Sequence, residues 1–166
     1  MTADGLPRSP AALSAMTSGP DDCGRLTWVF PWRLNALDEV RQKLAVLVQS
    51  ECWSDELHHQ ALLVIEELIV NAVTYGGQTP ESGVLEVALQ SDPELLHIHV
   101  RDNGVAFDPF ALTNPDTEAS LEERRIGGLG LFLVKQLSVI HGYRYTDGMN
   151  CVHVGLPRAG QSTAVR

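Results

Sequence analysis

The stretch Leu57–Gly77, LHHQALLVIEELIVNAVTYGG, decides how the rest of the chain is read. Leu57, Ala61, Val64, Leu68 and Ala72 recur at helical spacing, while Leu62, Leu63, Ile65, Ile69 and Val70 fill other faces. The pattern predicts a helix from about Ser54 to Tyr75, ended by Gly76-Gly77. A helix apolar nearly all round is buried on several sides. Glu66, Glu67 and Asn71 nevertheless lie within it. Glu67 and Asn71 are four apart and share one face, and Tyr75 continues that line. Buried polar groups need partners, so this pair is either structural or a site. Glu66 by itself fits a solvated polar stripe.

Working upstream, Leu26–Trp32 is rich in β-formers and reads as a strand. Asn35 then stands as an N-cap before Leu37, Val40, Leu44 and Leu47, a second amphipathic spacing. Residues 1–24 are rich in Ala, Ser, Gly, Pro and Thr without periodicity and read as a flexible N-terminal tail. Residues 159–166 read as a short C-terminal tail, leaving residues 25–158 as one domain.

Working downstream, Gly83–Gln90 and Leu95–Asp102 read as strands joined by the turn sequence Ser91-Asp92-Pro93-Glu94. In the second of them Leu96, Ile98 and Val100 alternate with His97, His99 and Arg101. Asp102 has the parity of the apolar set, so its carboxylate points to the core side of the strand end. Asp102-Asn103-Gly104 is also favourable turn chemistry. A buried carboxylate needs a donor, and a purine amino group is one. Asp108 to about Gly127 is a long polar connection, a length that often carries function. A third helix is expected from Gly128, with Leu129, Phe132, Leu133, Gln136, Leu137 and Ile140 at helical spacing. A hairpin of Tyr143–Thr146 and Cys151–Leu156, turned by Asp147-Gly148, closes the chain. The fold class is α+β: a two-layer sandwich whose mixed, mostly antiparallel sheet is covered on one face by helices.

Composition narrows the function. Twelve Lys and Arg against twenty-one Asp and Glu give a net charge of −9 over 166 residues. That balance argues against wrapping duplex nucleic acid, and it leaves a local nucleotide pocket open. Hydrophobic residues at 44% and charged residues at 20% suffice for a core. Cys23, Cys52 and Cys151 form no C-x-x-C pair, which points to a reducing cytoplasm. No apolar run reaches membrane-span length and no secretion signal is legible, so no membrane partner is expected.

Gly127-Gly128-Leu129-Gly130 sits at the mouth of the third helix, where backbone N–H groups and the helix N-terminus favour an anion. It is not a Rossmann fingerprint, because Leu133 replaces the third glycine and a polar loop precedes it. No P-loop sequence exists either.

Taken in order, these three clusters resemble the N, G1 and G2 boxes of the GHKL ATPase superfamily, over Leu57 to Leu156. The nearest resemblance is to the small anti-sigma factor serine/threonine kinases of the RsbW and SpoIIAB type. Their N box, E-x-x-x-N-A-x-x-[HY]-G, is matched by Glu67, Asn71, Ala72, Tyr75 and Gly76. Their third box, commonly G-x-G-L-x-[LI]-V, is resembled by Gly128, Gly130, Leu131 and Val134. Ala106 stands where many histidine kinases have a second G1 glycine. No helix pair bearing a phospho-acceptor histidine precedes the domain; His58-His59 lies inside it.

The resemblance implies a Bergerat ATP-binding fold with ATP and Mg²⁺ as cofactors. Asn71 would hold the metal and Glu67 would be the general base. Asp102 would accept from the adenine amino group, and Gly104 would let the base lie against the backbone. Gly128, Leu129, Gly130 and Leu131 would line the phosphates. Pro109–Ile126 would be the ATP lid, with Arg124 or Arg125 reaching the γ-phosphate. Asn150 or Cys151 lies where the family often has Thr or Asn near adenine. The implied partners are a STAS-domain anti-sigma factor antagonist as substrate, a sigma factor or other target for sequestration, and a second copy in a homodimer. Nucleotide-gated binding without phosphotransfer, and a detached histidine-kinase ATPase domain, are the alternatives.

Overall fold

The computed structural model describes residues 17–18, 24–111 and 128–158. Its elements are β1 (Thr17–Ser18), β2 (Leu26–Pro31), α1 (Ala36–Glu51), α2 (Asp55–Tyr75), β3 (Val84–Ser91), β4 (Leu95–Asp102), α3 (Gly128–Leu137), β5 (Ile140–Thr146) and β6 (Met149–Pro157). The strand order is β1-β2-β3-β4-β6-β5. Among the described residues every pairing is antiparallel, so the described sheet is not mixed. The reason lies in the last hairpin. β4 and β5 run in the same sense, with α3 between them in the chain, but β6 inserts between them.

Alternation sets the two faces. Leu96, Ile98 and Val100 of β4 face Leu85, Val87 and Leu89 of β3 and Val152, Val154 and Leu156 of β6 in one buried cluster. The helices close over that face, with Val40 and Leu44 of α1, Leu57, Ala61, Val64, Ile65, Leu68 and Ile69 of α2, and Leu131 and Val134 of α3. His97, His99 and His153 occupy the opposite face. Among the described residues no helix is long and apolar enough to cross a membrane.

Local signals act mostly as expected. The Ser54 side chain caps α2 by accepting from Leu57 N–H at 3.1 Å. Gly77, at φ +67°, turns the chain out of α2 in a conformation glycine adopts without strain. Asp147 and Gly148 both have positive φ, as a tight hairpin between twisted strands requires.

Three expectations are corrected. Asn35 has helical dihedrals and makes no side-chain cap. Instead a backbone turn, with Ala36 N–H to Arg33 O at 3.1 Å and Leu37 N–H to Leu34 O at 3.0 Å, starts α1. α3 stops at Leu137, and Ile140 belongs to β5 opposite Gly155. The β-branched pair Val139-Ile140 joins the sheet, with Val139 N–H bonded to Gly155 O at 3.0 Å. Thr17–Ser18, inside the stretch read as a tail, pairs with Trp28 and Thr27.

Candidate functional site

A solvent-open cleft of about 360 Å³ lies between the C-terminal half of α2 and the β4–β6 floor. Asn71, Ala72, Tyr75 and Gly76 line it from α2. Val100 and Asp102 contribute from β4, and Asn150 and Val152 from β6. The loop after β4 adds Val105, Phe107 and Pro109. The lining is apolar with few convergent polar groups, which is the usual character of a small-molecule site. Phe107 stacks on Tyr75 with ring centroids 5.4 Å apart, joining the loop to α2.

Asp102 is 6% exposed at the end of β4. Its Oδ1 accepts from Gly104 N–H at 2.9 Å and from Asn150 Nδ2 at 2.7 Å. Among the described residues Oδ2 has no donor, so one carboxylate oxygen is fixed and the other makes no hydrogen bond. Burial pushes the Asp102 carboxyl above the ordinary range, opposed by those two hydrogen bonds.

Asn150 sits opposite Asp102 in the β4–β6 register and is 2% exposed. Its Oδ1 accepts from Phe107 N–H at 3.1 Å and from the Tyr143 hydroxyl at 2.7 Å. Its Nδ2 also donates to Val105 O at 3.1 Å. Two donors on one side and three acceptors on the other, Gly104 O at 3.4 Å being the third, fix the amide's orientation.

Gly104 could carry no side chain. A Cβ there would stand 2.8 Å from Asp102 Oδ1, 2.8 Å from Gly76 Cα and 2.9 Å from Trp32 Cη2. The buried Trp32 side chain packs still more tightly on Gly76 and Gly83. Val105 N–H bonds Gly76 O at 2.9 Å, so the loop and the end of α2 are held as one piece.

The two glutamates of α2 part company. Glu66 pairs with Arg41 of α1 at 2.6 Å. Glu67 points the other way, its carboxylate against Gly130 in the first turn of α3, where a Cβ would overlap it. Among the described residues Glu67 makes no side-chain hydrogen bond or ion pair. Burial, and then the charge of Glu66, push its carboxyl upward. One turn on, Asn71 is 5% exposed and donates from Nδ2 to Glu67 O at 2.7 Å. That leaves its Oδ1 as a hard oxygen without a protein donor among the described residues, on the cleft wall.

Gly128 opens α3, Leu129 is 66% exposed, and the Leu131 side chain is buried in the core. Leu131 can therefore offer a ligand only its backbone. Arg124, Arg125 and most of the expected lid lie outside the described residues. Cys151 faces away from Asp102, opposite Arg101, so of the pair Asn150 and Cys151 only Asn150 lines the cleft. The sequence reading missed Tyr143, Trp32 and Phe107. The first needed the β5–β6 pairing to be known; the other two are aromatic residues whose roles depend on long-range packing.

Comparisons with known proteins bear on the fold and the family. The family model for the histidine kinase-like ATPase domain matches residues 30–156. The chain is similar to the serine/threonine-protein kinase BtrW of Bordetella bronchiseptica, 28% identical over 98 residues, which are 59% of this chain and 69% of BtrW. It is similar to the serine-protein kinase RsbW of Listeria monocytogenes, 26% identical over 132 residues, 77% of this chain and 84% of RsbW. The solved structure of the RsbU and RsbW domains of Rv1364c from Mycobacterium tuberculosis shares the fold, with a TM-score of 0.55 at 19% identity. The match covers 81% of this chain and 33% of that longer one. The chain belongs to the histidine kinase-like ATPase domain family.

Proposed function

We propose that this chain is an ATP-dependent serine/threonine kinase and anti-sigma factor. It phosphorylates a STAS-domain antagonist and sequesters a sigma factor, or a comparable target, in a partner-switching pathway. The observation that carries the reading is a pair of cleft-lining residues, Asp102 and Asn71, whose Oδ2 and Oδ1 lack protein donors among the described residues, with the Glu67 carboxylate one helical turn before Asn71 and against Gly130. The naming of two relatives as serine or serine/threonine kinases supports it.

In this reading the adenine amino group donates to Asp102 Oδ2, and the base lies along Gly104. The phosphates run toward the first turn of α3, whose backbone N–H groups favour anions. Asn71 Oδ1 suits Mg²⁺, a hard cation that takes few protein oxygens and keeps waters and phosphate as its other ligands. The metal, when bound, neutralises phosphate charge. Glu67 accepts the proton of the substrate hydroxyl as the hydroxyl oxygen bonds to the γ-phosphorus and the bond to the β,γ-bridging oxygen breaks, releasing ADP. The raised Glu67 carboxyl suits that task, since a base works best nearer the working pH. On the family resemblance the chain works as a cytoplasmic homodimer.

The test is to capture partners from its own lysate on tagged protein with Mg-ATP or Mg-ADP, and to record intact masses. A small STAS-like protein that gains one phosphate only with ATP is expected. A retained partner that never gains phosphate would leave a nucleotide-gated binding module instead.

A further inference from the structure

Tyr143 reaches into the cleft's hydrogen-bond network from β5, at the far edge of the sheet. Its ring packs against the core, and its hydroxyl donates to Asn150 Oδ1 at 2.7 Å. Asn150 in turn donates to Asp102 Oδ1 at 2.7 Å. Phe107 N–H also donates to Asn150 Oδ1, so the amide oxygen is held from two directions. Without the hydroxyl, one of those directions is lost and the amide is freer to rotate. The amide donor on Asp102 Oδ1 is then freer too, and the carboxylate's orientation with it. The Asp102 oxygen turned to the ligand has no protein donor of its own among the described residues, so its aim depends on how firmly Oδ1 is gripped.

We propose that Tyr143 is a positioning residue that sets purine discrimination, acting through Asn150 on Asp102. The inference rests on the adenine reading of Asp102. It assigns Tyr143 a role beyond filling space at the sheet edge. A residue acting this way changes the choice between bases, whereas a residue that only stabilises the fold weakens all nucleotides alike.

The experiment titrates Mg-ATP and Mg-ITP, whose base carries an oxo group in place of the 6-amino group, into the full chain and into Tyr143→Phe. The unaltered protein is expected to prefer ATP strongly. Tyr143→Phe should weaken ATP about fivefold, the scale of one hydrogen bond, and leave ITP within about twofold. Tyr145→Phe removes a hydroxyl from an exposed tyrosine on the same strand and should leave the preference unchanged. Equal loss of both nucleotides in Tyr143→Phe, or an unchanged preference, overturns the proposal while the adenine reading stands. An unaltered protein that binds both nucleotides equally, or neither, overturns the adenine reading and this inference with it. A melting curve of Tyr143→Phe coincident with the parent shows that a changed preference is not a changed fold.

Discussion

At the Asp102 end of the cleft, backbone and side-chain donors converge on one carboxylate oxygen and one amide. At the Glu67 end, a carboxylate and an amide oxygen meet no protein donor among the described residues. The first arrangement is preorganised: its orientation is fixed before a ligand arrives, so little ordering is left to pay for on binding. The second is held by one hydrogen bond, from Asn71 Nδ2 to Glu67 O, and by packing against Gly130, and its oxygens keep their accepting capacity. On the proposed function, the difference separates recognition from chemistry along one helix-and-strand wall. It implies that the two functions are separable by single substitutions.

The largest break is expected at Glu67. Glu67→Gln keeps the shape and removes the base, so transfer to a hydroxyl substrate should fall about a thousandfold. ATP affinity should stay within about threefold, because Glu67 does not line the base-binding part of the cleft. A mass-shift assay with calorimetry on the same preparation reads both.

Asp102→Asn is expected to do the opposite. The asparagine oxygen still accepts from Gly104 and Asn150, but a donor replaces the free acceptor. ATP affinity should fall about a hundredfold. The fold should be retained. The sign of the stability change follows from burial: a carboxyl raised above its ordinary 3.8 stabilises the fold only while protonated, and that contribution is lost as pH rises through the folded value. Asp102→Asn removes this loss, so near neutral pH its melting temperature should equal or exceed that of the parent. A nucleotide-independent fall would mean that the carboxylate is structural.

Gly130→Ala sharpens the other end. The added Cβ meets the tip of a flexible side chain rather than backbone, so the fold should tolerate it by moving Glu67. Transfer should drop about tenfold with little change in ATP affinity, since a small misplacement of a reacting group is costly.

The outer sheet face supplies the smallest effect. Burial, with the charges of His153, Arg25 and His97, lowers the His99 pKa to about 4. The unfolded chain takes up that proton near 6.5, so His99 costs stability progressively as pH falls from 6.5 toward 4 and costs none above. The ring is partly exposed, so the change is modest: His99→Gln should remove about 3 °C of the acid-side fall in melting temperature. ATP-dependent stabilisation at neutral pH should be untouched.

Most of the fold was legible because its signals are local. The α2 stripe, the β4 alternation and the Asp147-Gly148 turn each lie within one element. The end of α3 was not, because Ile140 fits helical spacing and only its pairing with Gly155 makes it a strand. The site was legible where a pair shares a helix face, as Glu67 and Asn71 do, or where parity buries a charge, as at Asp102. Glu66 and Glu67 are adjacent acids that the i, i+4 spacing to Asn71 already separates, but their partners, Arg41 for Glu66 and Gly130 beside Glu67, lie on other helices and were not legible. Asn150 and Tyr143 were legible only in part or not at all, since β6 reaches β4 across an intervening helix and strand, and Trp32 shows its role only by packing on Gly76, Gly83 and Gly104. Spacing along the chain carries no record of that pairing.

The most direct test of this division is the Mg-ATP affinity of Glu67→Gln beside that of Asp102→Asn, measured by calorimetry under one condition. The account predicts near-parental binding for Glu67→Gln and about a hundredfold weaker binding for Asp102→Asn. Loss of binding in Glu67→Gln, or parental binding in Asp102→Asn, would contradict it.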